Sequence, residues 1–117
     1  MDTGRIKMED YHGVLYCEAY MEDEFSLNDL AAMRSEIHKN YNSNSDVILK
    51  KAASYSVAVD AQTTLWKGIP EFRNFVYVVD NDWKRESAEY AAMTYMRPYN
   101  TKVASTREEA LGMLGKD

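Results

Sequence analysis

Hydroxyl side chains cluster in residues 53–66, a segment that leads into a predicted helix. Ser54 and Ser56 precede this helix, and Thr63 and Thr64 lie within it. A helix start favours a phosphate, because the free backbone amides and the positive end of the helix dipole point at it. Asp60, which we place at the helix start as its N-cap, would repel a phosphate. The alternative is that these hydroxyls only cap and satisfy a turn.

Aromatic side chains are the second feature that could form a site. The chain has nine Tyr, three Phe and two Trp, and many lie on or beside predicted helices: Tyr55, Trp66, Phe72, Trp83, Tyr90 and Tyr95. A short chain buries most of its large aromatics in one core, and this is the interpretation we favour. The functional alternative is that some of them, Trp66 and Trp83 above all, line an apolar pocket or a dimer patch.

Groups that catalysis or metal binding would need are sparse. Cys17 lies inside a predicted strand, with neither His12 nor His38 near it in sequence, so we expect a buried thiol. Two distant histidines do not supply a metal site. The acidic run at residues 22–24 is typical of a solvated turn before a helix. No Gly-x-Ser-x-Gly, His-Glu-x-x-His or Cys-x-x-Cys motif occurs. The sequence therefore predicts no enzyme, no metal and no cofactor.

Composition narrows the class of protein further. The 117 residues carry 14 Lys plus Arg against 19 Asp plus Glu, a formal net charge of -5. This length predicts a single domain over residues 1–117. No basic stripe is present to bind nucleic acid, and no apolar run approaches the ~20 residues of a membrane span. With one cysteine and no signal-peptide pattern at the start, we expect a cytoplasmic protein.

The strands that must position these residues show different patterns. Alternating apolar residues on either side of Gly13 predict a β-hairpin over residues 5–20. Val47–Leu49 is a short apolar run that suits a strand covered on both faces. Residues 75–79 carry no charge, which places that strand inside a sheet and not at its edge. Thr101–Ala104 is a short final strand, and residues 52–59 fit either a loop or a further strand.

The helices are indicated by caps and apolar spacing. Ser26 can cap the first helix, whose stripe comprises Leu27, Leu30, Met33, Ile37 and Tyr41. We expect Asp60 and Asp82 to cap the second and third helices, and Ser105 or Thr106 the fourth. The resulting order is ββαβαβαβα, which predicts an α/β fold with a mixed sheet and crossover helices.

Several short segments, taken in order, carry a resemblance. They are Val47-Ile48-Leu49, Ser54-Tyr55-Ser56-Val57, the strand 75–79, the Ala88-Glu89 helix and the ending Thr106-Arg107-Glu108-Glu109-Ala110-Leu111. In this order, residues 5–115 resemble the SpoIIAA-like members of the STAS superfamily, small bacterial proteins related to sulfate-transporter tails and anti-sigma-factor antagonists. The resemblance implies a mixed sheet of four or five strands with helices packed largely on one face. It also implies a binding or regulatory module, and relatives of this architecture include lipid-transfer-like domains.

Together these features predict a non-enzymatic module that binds a small apolar ligand or a protein partner near the 53–66 loop. The expected surface comprises Ser54, Ser56, Asp60 and Trp66, and a homodimer is compatible with it. The alternative, from the resemblance, is a phospho-regulated antagonist of an anti-sigma-like kinase, switched at a Ser in the same loop. The Asp-Ser-Ser/Thr-Gly pattern of that family is absent. A weaker third reading is a hydrolase-like or acyl-binding enzyme.

Overall fold

The computed structural model describes residues 1–41, 45–68 and 72–116. Seven strands and four helices lie within these ranges. In chain order they are β1 (Ile6–Tyr11), β2 (Val14–Ala19), β3 (Glu24–Phe25), α1 (Leu27–Asn40), β4 (Ser45–Lys51), β5 (Ser56–Val57), α2 (Val59–Trp66), β6 (Phe72–Val78), α3 (Asp82–Met93), β7 (Asn100–Ala104) and α4 (Arg107–Met113).

The main sheet has five strands in the order β1-β2-β4-β6-β7. β1 and β2 form the antiparallel hairpin, and all the other pairs in this sheet are parallel. The predicted mixed α/β sheet and its element order are therefore confirmed, with β6 inside the sheet. Two additional strands, β3 and β5, pair in parallel as a separate ribbon. Strands of two residues are too short to show an alternating pattern in the sequence.

The two faces of the main sheet are covered unequally. Leu30, Met33 and Ile37 of α1 pack on one face together with Leu65 of α2 and the alanines of α3. Ala110 and Leu111 of α4 pack on the other. Three helices therefore share one face, as expected, and the fourth covers the opposite face.

Alternation along each strand decides which side chains meet which helices. In β6, Phe75 and Tyr77 belong to the core beneath α1, α2 and α3, whereas Val76 and Val78 belong to the core beneath α4. This is the two-residue period of a strand buried on both faces. Leu27 departs from the predicted stripe of α1, because its side chain is exposed.

The hairpin turn has the backbone that its residues predict. His12 and Gly13 both have positive φ angles, 53° and 82°. Two consecutive residues with positive φ give the tight turn whose twist matches the flanking strands, and this requirement favours glycine. His12 is exposed at this turn.

Two predicted caps are wrong. Ala58 precedes α2 in extended conformation, and its N–H donates to the carbonyl of Phe25 at 2.9 Å. This bond holds the chain in the β3–β5 ribbon up to residue 58, so α2 begins at Val59. Asp60 therefore lies inside the first turn and not at the cap.

At α3 the cap is Asn81, not Asp82. The side-chain oxygen of Asn81 accepts the N–H of Lys84 at 2.8 Å, three residues further on. Asp82 is consequently the first helical residue, where its charge still favours the helix dipole. Thr106, one of the two expected alternatives, caps α4 by accepting the N–H of Glu109 at 3.1 Å.

The predicted cap of α1 is confirmed and gives a testable expectation. Ser26 Oγ accepts the N–H of Asp29 at 3.2 Å, and the Asp29 carboxylate accepts the N–H of Ser26 at 2.8 Å. Replacing Ser26 by Ala removes the first bond and should lower the free energy of unfolding by about 1 kcal/mol. Urea denaturation measures the change. Ser35→Ala, at an exposed position of the same helix, is the control and should not destabilise. Equal midpoints for wild type and Ser26→Ala would contradict the cap.

Candidate ligand site

A buried lysine ends the central strand β4. Alternation places Val47, Leu49 and Lys51 on the face covered by three helices, and the Lys51 side chain is only 4% exposed. Its strand neighbour on β2 is the small residue Ala19. Lys51 is therefore at the carboxyl end of a parallel strand, and ligands of α/β proteins commonly bind beyond the carboxyl ends of the strands.

The ammonium of Lys51 has unusual surroundings. Its Nζ lies 3.4 Å from Ser87 Oγ, 4.4 Å from the centre of the Tyr55 ring and 6.0 Å from that of Tyr77. Ring faces attract a cation, but they do not neutralise its charge. Burial lowers the pKa of Lys51 from 10.5 to about 8, with a further contribution from the nearby ammonium of Lys84.

A small cavity lies beside this ammonium. Its volume is about 20 Å³, which is room for about one water molecule. Lys51 contributes the one charged side chain among the described lining residues, which are Phe25, Leu30, Met33, Leu49, Lys51, Tyr55, Val57, Leu65, Phe72, Phe75, Tyr77, Tyr95 and Met96. The cavity is thus an apolar space with a single cation at its wall.

An open groove of about 400 Å³ adjoins the cavity. Its lining comprises Asp23, Ser54, Tyr55, Ser56, Val57, Gln62, Trp83, Ser87, Tyr90 and Tyr95. Tyr55, Val57 and Tyr95 line both spaces, so their side chains separate the cavity from the groove. Ser87 lines the groove and also contacts Lys51 Nζ.

A second groove, of about 450 Å³, runs between α2 and α3. Gln62, Tyr90 and Tyr95 line it together with Trp66 and Met93, among others. The first three residues also line the groove described above, so the two grooves are continuous.

Both tryptophans are exposed, Trp66 by 54% and Trp83 by 65%. The favoured interpretation that they pack in the core is wrong. Small residues take the sheet-facing positions of their helices, namely Ala61 on α2 and Ala88 and Ala91 on α3, all at most 2% exposed. Helices that approach a sheet through alanine leave no room for an indole between them, so both indoles lie on outward faces.

The structure distributes the sequence-predicted site residues unevenly. Ser54 and Ser56 are exposed and line the groove beside the cavity. Trp66 lines the continuous second groove. Asp60 is exposed at the first turn of α2, whereas Trp66 is the last residue of that helix, so they lie at opposite ends. The Asp60 carboxylate accepts the N–H of Ala61 at 2.8 Å and lines neither groove.

Sequence reasoning missed Lys51 and Ser87, whereas Tyr95 was among the aromatics named as possible pocket residues. A signal for Lys51 was available, because extending the run Val47–Leu49 by one strand period places residue 51 on a buried face. No comparable signal exists for Ser87, since its proximity to Lys51 depends on how α3 crosses the sheet.

The tyrosines around the cavity remain neutral phenols. Burial raises the pKa of Tyr55 and of Tyr77 well above the usual value of 10, and that of Tyr95 to about 12. These groups therefore supply apolar surface and hydrogen-bonding hydroxyls at neutral pH, but no charge.

Cys17 is fully buried, and burial raises the pKa of its thiol. Because the thiolate is the nucleophile, this cysteine is unreactive. Within the described ranges, no three His, Cys, Asp or Glu side chains form a group that could hold a metal ion. No helix in these ranges is long and apolar enough to cross a bilayer.

Comparison with known proteins bears on the fold. No protein-family model and no curated protein matches the sequence. The structure is similar to the crystal structure of an uncharacterized protein of the DUF3478 family, with a SpoIIAA-like fold, from Shewanella loihica PV-4. The sequence identity is 15%, the TM-score is 0.61, and the match covers 93% of this chain and 91% of that chain. The expected resemblance is thus confirmed at the level of architecture: the chain has a SpoIIAA-like fold.

Proposed function

We propose that this chain is a non-enzymatic binding module that takes a small, largely apolar ligand in the groove beside residues 53–66. One observation carries the proposal: an aromatic-lined groove adjoins an apolar cavity, and a few polar groups are placed between them. Ligand sites have this composition, in which apolar surface supplies affinity and a few polar groups orient the ligand.

The arrangement of nucleophiles and bases supports the non-enzymatic part of the proposal. Cys17 is buried with a raised thiol pKa. His12 is exposed on the hairpin turn, and His38 is exposed near the end of α1. Among the described residues, neither histidine forms a hydrogen bond with Cys17, Ser54 or Ser56, whereas nucleophilic catalysis needs such a base beside the nucleophile.

The exposed aromatic surface also fits a protein partner. Trp66, Trp83, Tyr90 and Met93 are each more than half exposed and lie along the two continuous grooves. Aromatic residues and methionine are enriched at protein interfaces. The groove of about 400 Å³ favours the small ligand, because small-molecule sites are concave spaces of this size, whereas a protein partner needs only the exposed aromatic surface.

Binding of a neutral apolar probe tests the groove. N-phenyl-1-naphthylamine should bind the wild-type protein, with its fluorescence rising as it leaves water. Replacing Tyr90 by Ser should weaken binding about tenfold, because an exposed ring that lines both grooves is lost. The matched control is Tyr20→Ser, which removes an exposed tyrosine that lines neither groove and should leave the affinity unchanged. Equal affinities for wild type and Tyr90→Ser would contradict the site.

The regulatory alternative makes a different prediction for the same loop. Ser54 and Ser56 are both exposed and so are accessible to a kinase. The intact mass of the chain purified from its own cells distinguishes the two proposals. A small molecule retained under native conditions supports the binding module. One added phosphate, lost in a Ser54→Ala or Ser56→Ala variant, would favour the phosphorylation switch instead.

A further inference from the structure

We infer that Lys51 is the anchor for the anionic end of the ligand: the groove takes a small apolar monocarboxylic acid, and its carboxylate binds between Lys51 Nζ and Ser87 Oγ. The inference rests on the proposed function and adds the chemical class of the ligand. It assigns a role to a buried charge that has no ion-pair partner among the described residues.

Lys51 is unlike the other buried charges of the protein. Each of the others has an oppositely charged partner. Asp29 pairs with Arg5 at 2.9 Å, and Lys84 pairs with Asp80 at 3.0 Å. Asp46 lies 3.6 Å from Arg73 and also accepts a hydrogen bond from the Asn74 amide at 2.8 Å. Within the described part of the chain, Lys51 forms no ion pair, and its hydrogen-bond partner is the neutral Ser87 hydroxyl. Buried charges in proteins are normally paired, so the missing anion points to a ligand.

Ser87 connects the groove with the ammonium. Ser87 lines the groove, and its Oγ lies 3.4 Å from Nζ, a long hydrogen bond that a stronger acceptor can replace. On this inference the carboxylate lies beside Ser87, where it accepts one bond from Nζ and a second from the Ser87 hydroxyl. A charge-assisted bond of this kind is stronger than the neutral contact it replaces.

The dimensions restrict the apolar part of the acid. The cavity of about 20 Å³ has no room for an aliphatic chain. The groove of about 400 Å³ does have room for a body the size of one or two aromatic rings, in contact with Trp83, Tyr90 and Tyr95. The geometry thus points to a compact aromatic or similarly short acid and not to a long-chain lipid.

The surrounding charges favour a single negative charge on the ligand. Lys84, on α3, already pairs with Asp80. Asp23, at the groove, pairs with Arg5 at 2.9 Å. Tyr55 and Tyr77 face Nζ as neutral phenols because burial raises the pKa of each. Among the described residues at the cavity and the groove, Lys51 therefore remains the cation without a carboxylate partner, and one carboxylate would pair with it.

Two probes of equal shape separate this inference from the proposed function. Isothermal titration should show that 1-naphthoate binds the wild-type protein at least tenfold more tightly than 1-naphthamide, which lacks the charge. In Lys51→Met the preference should disappear, because naphthoate loses its ion pair and weakens about tenfold more than naphthamide does. A circular dichroism spectrum equal to that of the wild type shows that the variant is folded.

The wild-type protein gives an independent measurement. Because the pKa of Lys51 is about 8, its ammonium loses its proton between pH 7 and 9.5. Naphthoate affinity should fall several-fold over that range while naphthamide affinity stays constant. Equal affinities for the two probes at pH 7 would overturn the inference and leave the apolar groove intact. Failure of both probes to bind would overturn the proposed function as well.

Discussion

Replacing Val78 by Asp is expected to prevent the chain from folding. Val78 is 4% exposed in β6, an interior strand, and packs in the core beneath α4 with Val76 and Ala104. An aspartate there would bury a carboxylate without a partner, at a cost of several kcal/mol. Domains of this size are stable by only about 5–15 kcal/mol. Circular dichroism and urea denaturation measure the loss of structure.

The same substitution at an exposed valine is the control for this experiment. Val59 is 78% exposed and is the first residue of α2. Val59→Asp buries no charge and places a carboxylate where the helix dipole favours it, so its stability should equal or exceed that of the wild type. A Val78→Asp variant that unfolds at the same urea concentration as Val59→Asp would show that β6 is not an interior strand.

Replacing Lys51 by Met is expected to stabilise the protein at neutral pH. Methionine has a similar length and carries no charge, so the buried ammonium and its cost of desolvation are removed. A fall in the pKa of Lys51 from 10.5 to about 8 corresponds to a cost of about 3 kcal/mol for keeping the charged form in the folded state. Urea denaturation at pH 7 should show a gain of about 2–3 kcal/mol.

The pH dependence of this gain follows from linkage. Below pH 8, Lys51 is protonated in both the folded and the unfolded states, so the wild type bears the full cost. Between pH 8 and 10.5 the unfolded state holds the proton more tightly, and the wild type therefore gains stability relative to Lys51→Met as pH rises.

Unfolding measured at pH 7 and pH 9.5 checks this expectation, since the difference between the two proteins should shrink at the higher pH. Titration of Cys17 and the tyrosines occurs in both proteins and cancels from the comparison. A Lys51→Met variant less stable than the wild type at pH 7 would mean that the ammonium stabilises the fold. The charge would then have a structural role instead of being held for a ligand.

Local patterns in the sequence were sufficient for most elements of the fold. The uncharged run at 75–79 indicated an interior strand, because a strand buried on both faces of a sheet is made of apolar side chains. Ser26 and Thr106 indicated helix starts because a cap depends on residues three positions apart. Asp60 was misassigned as a cap because the β3–β5 ribbon, a contact between distant segments, holds Ala58 extended and lets α2 begin at the next residue.

The site depended much more on tertiary structure. The sequence by itself determined that residues 47, 49 and 51 share one face of a strand, since side chains alternate in every extended chain. The position of α3 decided which groups surround Lys51. The alanines of α3 allow the helix to approach the sheet closely, and this brings Ser87 Oγ within 3.4 Å of Lys51 Nζ. The same close approach turned Trp83 and Tyr90 outward to line the groove. Helix crossing depends on the sum of many packing contacts, which no spacing within a single segment encodes.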